Sequence, residues 1–323
     1  MNVLVTGGEG YLGHCLCKRL VADGHSVVSW DTGWFSGHVE RIPGVSYHRG
    51  DVTEIEELSG FDGVAHLANF SCDPMADLMP SQCFGTNVGG TFHVAKLAKR
   101  DGVPRFIFAS TASVYGLATG AVDEYGSTDN VTSYYGASKV AAERVLHNLA
   151  DQDFAVSCIR KGTLGGVSPR MRMDLMVNTM AMFAVDPEHK RITVSNPNIV
   201  RPHLDIRDAV ALYNWALTRT QPLRGIYNAA ISNHTVLDVA KAIQAQTNCS
   251  LQVQQKWDNR SYALNCTKLE REGFKLHFEL SATIERVLSW LRANAANDPL
   301  NDDRLFNIRV YRNLEHVKSL SGR

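Results

Sequence analysis

Tyr135 and Lys139, in the run Tyr135-Gly136-Ala137-Ser138-Lys139, stand four residues apart and share one face of a helix if the segment 133–150 is helical. A free phenol titrates near pH 10, too high for a base at neutral pH. A neighbouring ammonium favours the phenolate, so Lys139 is the kind of partner that lets Tyr135 remove a hydroxyl proton. Tyr and Lys at this spacing also form plain surface pairs, so their surroundings decide. Upstream, the apolar run Phe106-Ile107-Phe108-Ala109 delivers the hydroxyl-rich segment 110–116 to the carboxyl edge of a sheet, where α/β folds bind ligands.

The amino end carries the second chemical feature. Val3-Leu4-Val5 runs into Thr6-Gly7-Gly8-Glu9-Gly10-Tyr11-Leu12-Gly13, with glycines where a strand turns tightly into a helix and where backbone N–H groups can meet a pyrophosphate. The next strand ends at Asp31, 18 residues after Gly13, close to the spacing at which a carboxylate takes up an adenosine ribose. No Arg follows immediately to receive a 2′-phosphate, so NAD is expected rather than NADP. Its cationic nicotinamide would add to the effect of Lys139 on Tyr135. Gly50-Asp51-Val52 suits the adenine edge, although Asp51 reads equally as the N-cap of a helix over 53–58.

Elements of the right kind lie around both features. Strand-like runs at 2–6, 26–30, 45–49, 63–67, 105–109 and 155–160 alternate with helix-period segments at 10–23, 86–101 and 133–151, as in a doubly wound α/β fold with a parallel sheet. Beyond Gly162 the rhythm breaks into a smaller, loop-rich region with helices expected at 205–218, 235–246 and 281–293. Thr235 and Asp238 form a variant capping box for the second of these. A strand-like Ile226-Tyr227-Asn228 intervenes, and a polar tail is expected from Asn294.

The chain has 323 residues, 44% apolar and 20% charged, with 33 basic and 33 acidic residues. That balance provides no global field for nucleic acid. No apolar run approaches the roughly 20 residues of a membrane span, and no signal-peptide pattern opens the chain, so a cytoplasmic protein without membrane or nucleic-acid partners is expected. The seven cysteines are scattered, odd in number and without a CxxC pair, which argues against a disulfide framework or a metal site.

Together, TGGxGYLG, Asp31, GDV, His66-Leu67-Ala68, Asn87 in TNVGGT, the S-T-x-x-V-Y-G segment and YxxxK resemble the extended short-chain dehydrogenase/reductase superfamily. Within it the likeness is to NAD-dependent nucleotide-sugar epimerases and dehydratases such as the UDP-glucose 4-epimerases. The resemblance is dense over residues 1 to about 215 and sparser to about 275. It implies a Rossmann NAD-binding domain over 1–163, with a returning segment near 200–220, and a mainly substrate-binding α/β domain over 164–323. It makes Tyr135 the base, Lys139 its ribose-binding partner and Thr111 the donor to the reacting hydroxyl. Gly7, Gly10, Tyr11, Leu12, Asp31, Asp51, Val52, Leu67, Ala68 and Asn87 would line NAD. Arg170 and Asn178 fall in the segment Ser168-Pro169-Arg170-Met171-Arg172-Met173-Asp174 and just beyond it, which closes over the nucleoside-diphosphate sugar. Arg201 and Arg260 would hold the diphosphate, since Arg pairs phosphate oxygens with a planar fork. Thr163 stands where the family commonly has an Asn that touches the sugar. The segments 86–99 and 133–150 are those the family uses in homodimers.

The branch follows from residues that are missing. Dehydratases of this kind usually place Asp-Glu directly after the catalytic Thr, and decarboxylases carry a Glu at the second of those positions. Here they are Ala112 and Ser113, neither able to move a proton at neutral pH. Epimerisation through a transient keto-sugar is therefore expected, with 4,6-dehydratase and keto-sugar reductase as alternatives. A non-catalytic NAD-sensing protein would typically have lost Tyr135 or Lys139.

Overall fold

The structure is a computed structural model and describes residues 1–35, 39–118, 120–254 and 261–321. Seven strands form one parallel sheet in the order Gly225–Ala229, Ala155–Lys161, Arg105–Thr111, Gly63–His66, Asn2–Thr6, Ser26–Asp31, Val45–Arg49. Each of the six expected strands is present, and the Ile226-Tyr227-Asn228 run supplies the seventh.

Strand alternation explains the two layers. Val3, Val5, Ala65, Ile107 and Ile159 point to one face and pack against the helices Tyr11–Ala22 and Ile206–Thr218. Leu4, Val64, Phe106, Phe108, Val156 and Cys158 point to the other, against Thr91–Arg100 and Tyr134–Leu149. Both faces are covered, which is why these strands read as continuous apolar runs. Phe106 and Phe108 are fully buried, and truncating a phenylalanine in such a setting costs about 3–5 kcal/mol.

Caps set the helix ends near the cleft. Ser133 Oγ accepts from Gly136 N at 3.1 Å and starts the helix that carries Tyr135 and Lys139. The Thr235/Asp238 capping box forms as expected, opening Val236–Thr247. The expected helix over 86–101 is a π-helical turn, Gly85–Gly90, leading into Thr91–Arg100.

Downstream of the large sheet lie smaller ones. Thr163–Gly165, Val200–Asp205 and Ser232–Thr235 form three strands, Arg191–Ser195 pairs with Ser250–Gln254, and Ala121–Val122 with Ala263–Leu264. Met176–Val185, Val236–Thr247 and Leu280–Ala293 pack beside them. The tail departs from the expectation of a purely polar, solvated segment. Asn301 and Asp303 are exposed, but the chain then turns into the helix Asn307–Ser321, with Asn307 and Tyr311 buried against the cleft. Among the described residues, no helix is long and apolar enough to cross a membrane, and no group of His, Cys, Asp and Glu is placed to hold a metal.

Candidate functional site

The glycine turn shapes one end of a cavity of about 360 Å³. Gly7 has φ +71°, and a Cβ there would lie 2.7 Å from Ala68 N; a Cβ on Gly13 would lie 2.0 Å from Gly7 O. Only glycine lets the turn and the following helix approach this closely. Helix Tyr11–Ala22 has Gly10 as its N-cap and no side-chain cap, so its first N–H groups are left for a ligand. Such a cradle suits a dinucleotide pyrophosphate.

Asp31 ends its strand on the same cavity. Its oxygens accept from Glu9 N at 3.0 Å and Gly33 N at 2.8 Å. Burial pushes its pKa above the usual carboxylate value, against the lowering effect of those bonds. Each carboxylate oxygen has a second acceptor site, so a ribose hydroxyl can still be received. Asp51 takes the capping role: Oδ1 accepts from Thr53 N at 2.9 Å and Thr53 Oγ1 at 2.7 Å. The helix it caps is the single turn Val52–Glu54 rather than the 53–58 segment. Asp51, Val52, Leu12, Leu67 and Ala68 all line the cavity. Tyr11 lines it with its ring, while its hydroxyl donates to Gly166 O at 2.8 Å.

His66 braces this wall from behind. Its ring is fully buried, with Nδ1 2.8 Å from Thr6 Oγ1 and Nε2 3.0 Å from Thr91 Oγ1. Burial, helped by the charge of Lys139, holds its pKa at about 3. Because the unfolded chain protonates this imidazole below about pH 6.5, its contribution to stability is whole above that pH and shrinks as pH falls towards 3. By pH 5 the loss is about 2 kcal/mol at 1.36 kcal/mol per unit. Urea unfolding between pH 7.5 and 5 should therefore be flatter by about that amount in His66→Gln; parallel profiles would assign the acid sensitivity elsewhere.

At the other end of the cavity stand Thr111, Tyr135 and Lys139. Burial pushes the Tyr135 phenol above its ordinary value, and the nearby Thr111 side chain opposes that shift. Thr111 Oγ1 also accepts from Ser113 N at 3.1 Å, which fixes its rotamer. Lys139 is buried, donates to Ala109 O at 2.7 Å and lies over the Phe108 ring at 4.6 Å and the Tyr135 ring at 5.8 Å. Burial first, then the charge of Lys161, holds its pKa well below the usual lysine value.

A second cavity of about 620 Å³ meets the first at Asp73 and Thr163 and is walled by His189, Arg191 and Arg201. Arg201 donates to Val200 O at 3.0 Å and lies over Tyr262 at 5.3 Å. Arg260 lies outside the described residues. Arg170 faces the first cavity instead: it is buried, bonds Met171 O at 2.9 Å and Asn307 Oδ1 at 2.6 Å, and lies over Phe35 at 4.7 Å.

Two of the expected contacts stand behind the wall rather than on it. Asn87 clamps the Phe70 backbone, accepting from its N at 2.8 Å and donating to its O at 3.2 Å, and reaches Ser138 Oγ at 2.9 Å, next to Lys139. Asn178 accepts from Gly166 N at 3.1 Å and donates to Arg172 O at 2.8 Å, holding the loop that carries Arg170.

Lys161 and Asn307 line the first cavity without having been singled out in the sequence. Lys161 ends a strand two residues past its last apolar residue, Ile159, a signal visible in hindsight. Asn307 belongs to a helix whose pattern is too polar to announce a buried residue.

The sequence profile of the NAD dependent epimerase/dehydratase family matches residues 3–230. A UDP-glucose 4-epimerase of Streptomyces lividans is 34% identical over 154 residues, 44% of this chain and 46% of that protein. One of Bacillus subtilis is 23% identical over 276 residues, 76% of this chain and 81% of its own. The solved structure of TunA, described as an NAD dependent NDP-hexosamine 5,6-dehydratase involved in tunicamycin biosynthesis, superposes with a TM-score of 0.80 at 26% identity, covering 90% of this chain and 98% of that one. The chain spans about half the length of the first curated relatives it matches.

Proposed function

The chain belongs to the NAD dependent epimerase/dehydratase family, and from that premise we propose that it is an NAD-dependent epimerase of a nucleoside-diphosphate sugar, acting through a transient keto-sugar. The observation that carries this reading is that Thr111, Tyr135 and Lys139 line the same cavity as the glycine turn and Asp31. Glycines 7 and 10, the uncapped helix start and Asp31 would hold the dinucleotide. When bound, NAD supplies a hydride acceptor and a cationic ring.

Tyr135 takes the hydroxyl proton of the reacting carbon, and Thr111 holds that oxygen in place. Lys139 supplies the positive charge that favours the phenolate. The keto-sugar, kept at Thr111 and re-presented by its opposite face, regains its hydrogen with inverted configuration. Ala112 and Ser113 stand where a dehydratase carries the Asp-Glu pair that eliminates water, which sets this reading above a 4,6-dehydratase. The similarity to TunA, a 5,6-dehydratase, is consistent with a dehydratase as the alternative, with a keto-sugar reductase as the other.

We take residues 1–163 with the returning helix Ile206–Thr218 as the NAD-binding unit, because that helix packs on the large sheet. Residues 164–323 would mainly bind substrate, with Thr163, Arg201 and Arg260 on the sugar nucleotide. All seven cysteines are free, in keeping with a reducing, cytoplasmic setting. Phe84 and Phe92 are exposed on and just before the Thr91–Arg100 helix, supporting a homodimer through that face.

Proton NMR of the purified protein with UDP-, GDP-, CDP- and dTDP-sugars, without added cofactor, tests the reading. A stereoisomer of the supplied sugar is the expected product. A 4-keto product, or conversion only with NADPH, would replace the epimerase by a dehydratase or a reductase.

A further inference from the structure

The reaction proposed above employs Thr111, Tyr135 and Lys139 and leaves Lys161 without a task. Lys161 is the last residue of the strand Ala155–Lys161 and pairs in register with Thr111 on the neighbouring strand. Its ammonium donates to Ser110 O at 2.7 Å, and the side chain lines the cavity, partly accessible, beside Gly162 and Thr163. Among the described residues no carboxylate forms an ion pair with it. One hydrogen bond accounts for one of its three donors.

We propose that Lys161 receives a carboxylate carried by the sugar, so that the preferred substrate is a nucleotide-linked acid sugar rather than a neutral hexose; this rests on the nucleotide-sugar reading above. The electrostatics of the site favour an anion at this point. Lys139, the second ammonium of the cavity, also holds only a backbone carbonyl, and the two lysines repel each other. A sugar hydroxyl would satisfy a donor but leave the charge, whereas a carboxylate satisfies both.

Among the described residues, no carboxylate of the cavity pairs with this ammonium. Glu143, on the helix beneath, is committed to Arg160 and Ser110, while Asp31 and Asp51 lie at the adenosine end. Asp73 stands where the two cavities meet and has a partner of its own. Ala112 and Ser113 contribute no carboxylate either.

Position selects the sugar over the cofactor diphosphate. Adjacent strands lie about 4.8 Å apart, which puts Lys161 one strand from the residue expected to touch the reacting hydroxyl and far along the cavity from the glycine turn. A carboxyl group on the ring carbon next to the reacting one is within that reach.

Burial draws the Lys161 pKa down to about 7. The other groups near it are Lys139 and the buried Tyr213, whose hydroxyl has no hydrogen-bond partner among the described residues and whose ring lies 5.9 Å from the ammonium. Pairing with a carboxylate restores the charged form, so binding an acid sugar at pH 8 takes up a proton.

Isothermal titration of the NAD-loaded protein with UDP, UDP-glucose and UDP-glucuronate, at pH 8 in buffers of different ionisation enthalpy, tests this. The expected results are glucuronate binding at least tenfold tighter than glucose, with proton uptake confined to glucuronate. Lys161→Met should weaken glucuronate by about 10- to 100-fold, the range of a hydrogen bond to a charged group, with UDP affinity and NAD content unchanged. Equal affinity for the two sugars in the unmodified protein, equal weakening of both in the variant, or loss of NAD from it would each overturn the assignment. The first measurement needs no variant and stands if Lys161→Met fails to fold. Failure of the unmodified protein to bind UDP at all would overturn the nucleotide-sugar reading, and this inference with it; UDP binding without discrimination between the sugars removes the role of Lys161 alone.

Discussion

Tyr135→Phe is expected to lower kcat by about 10²- to 10⁴-fold, the usual range for losing a positioned acid–base group, while the protein keeps its NAD. The substitution removes only the phenol oxygen, and the ring keeps its place beside Phe70 and Met75. Folding should therefore be unaffected and the cavity should keep its shape. The cofactor cradle is built mostly from backbone at Gly7, Gly10 and Ala68, some way from the lost oxygen. Bound nucleotide per protein chain, measured after acid release, separates a chemical defect from a binding defect. Stereoisomer formation within about threefold of the unmodified protein would remove Tyr135 from the role of base. Loss of NAD in proportion to activity would make Tyr135 a binding residue instead.

The large sheet was legible because its central strands, Asn2–Thr6, Gly63–His66, Arg105–Thr111 and Ala155–Lys161, are buried on both faces and so carry largely apolar runs. The glycine turn was legible because close backbone approach at Gly7 and Gly13 admits no side chain, and Tyr135 and Lys139 because one helix turn brings them together. Strand ends were less legible. The ladder continues through Ser110-Thr111 and Arg160-Lys161, where backbone pairing persists after apolar character stops. That extension is what places Lys161 beside Thr111. The helix Asn307–Ser321 escaped notice because the burial of Asn307 and Tyr311 depends on partners far away in sequence: Ser71 and Arg170 for the first, Trp34 and Phe70 for the second. The supports Asn87 and Asn178 were found by pattern, yet their task of bonding backbone behind the wall follows only from the packing.

Glu143→Ala is expected to destabilise the protein by about 3–5 kcal/mol, the cost of leaving one member of a buried ion pair without its partner. Glu143 accepts from Arg160 Nε at 3.0 Å and Nη2 at 2.7 Å, and from Ser110 Oγ at 2.5 Å, with both charged side chains about 5% exposed. Arg160 continues to the Tyr115 hydroxyl at 3.0 Å, which donates to Asn228 Oδ1 at 2.7 Å. One connected network thus ties the helix carrying Tyr135 and Lys139 to the three strands Arg105–Thr111, Ala155–Lys161 and Gly225–Ala229. In the sequence Glu143 is an ordinary helix carboxylate and Arg160 an ordinary strand end, so the pair emerges only when the helix docks. Glu143→Ala leaves the guanidinium buried with the Tyr115 hydroxyl and the Glu124 carbonyl as its remaining acceptors. Replacing both partners by apolar residues, as in Glu143→Leu with Arg160→Met, removes the stranded charge and should restore much of the loss. Urea midpoints at constant m-value measure both effects. A single-variant cost below about 1 kcal/mol, or a double variant no more stable than Glu143→Ala, would show that the charge of Arg160 is met by Tyr115 and Glu124 without Glu143.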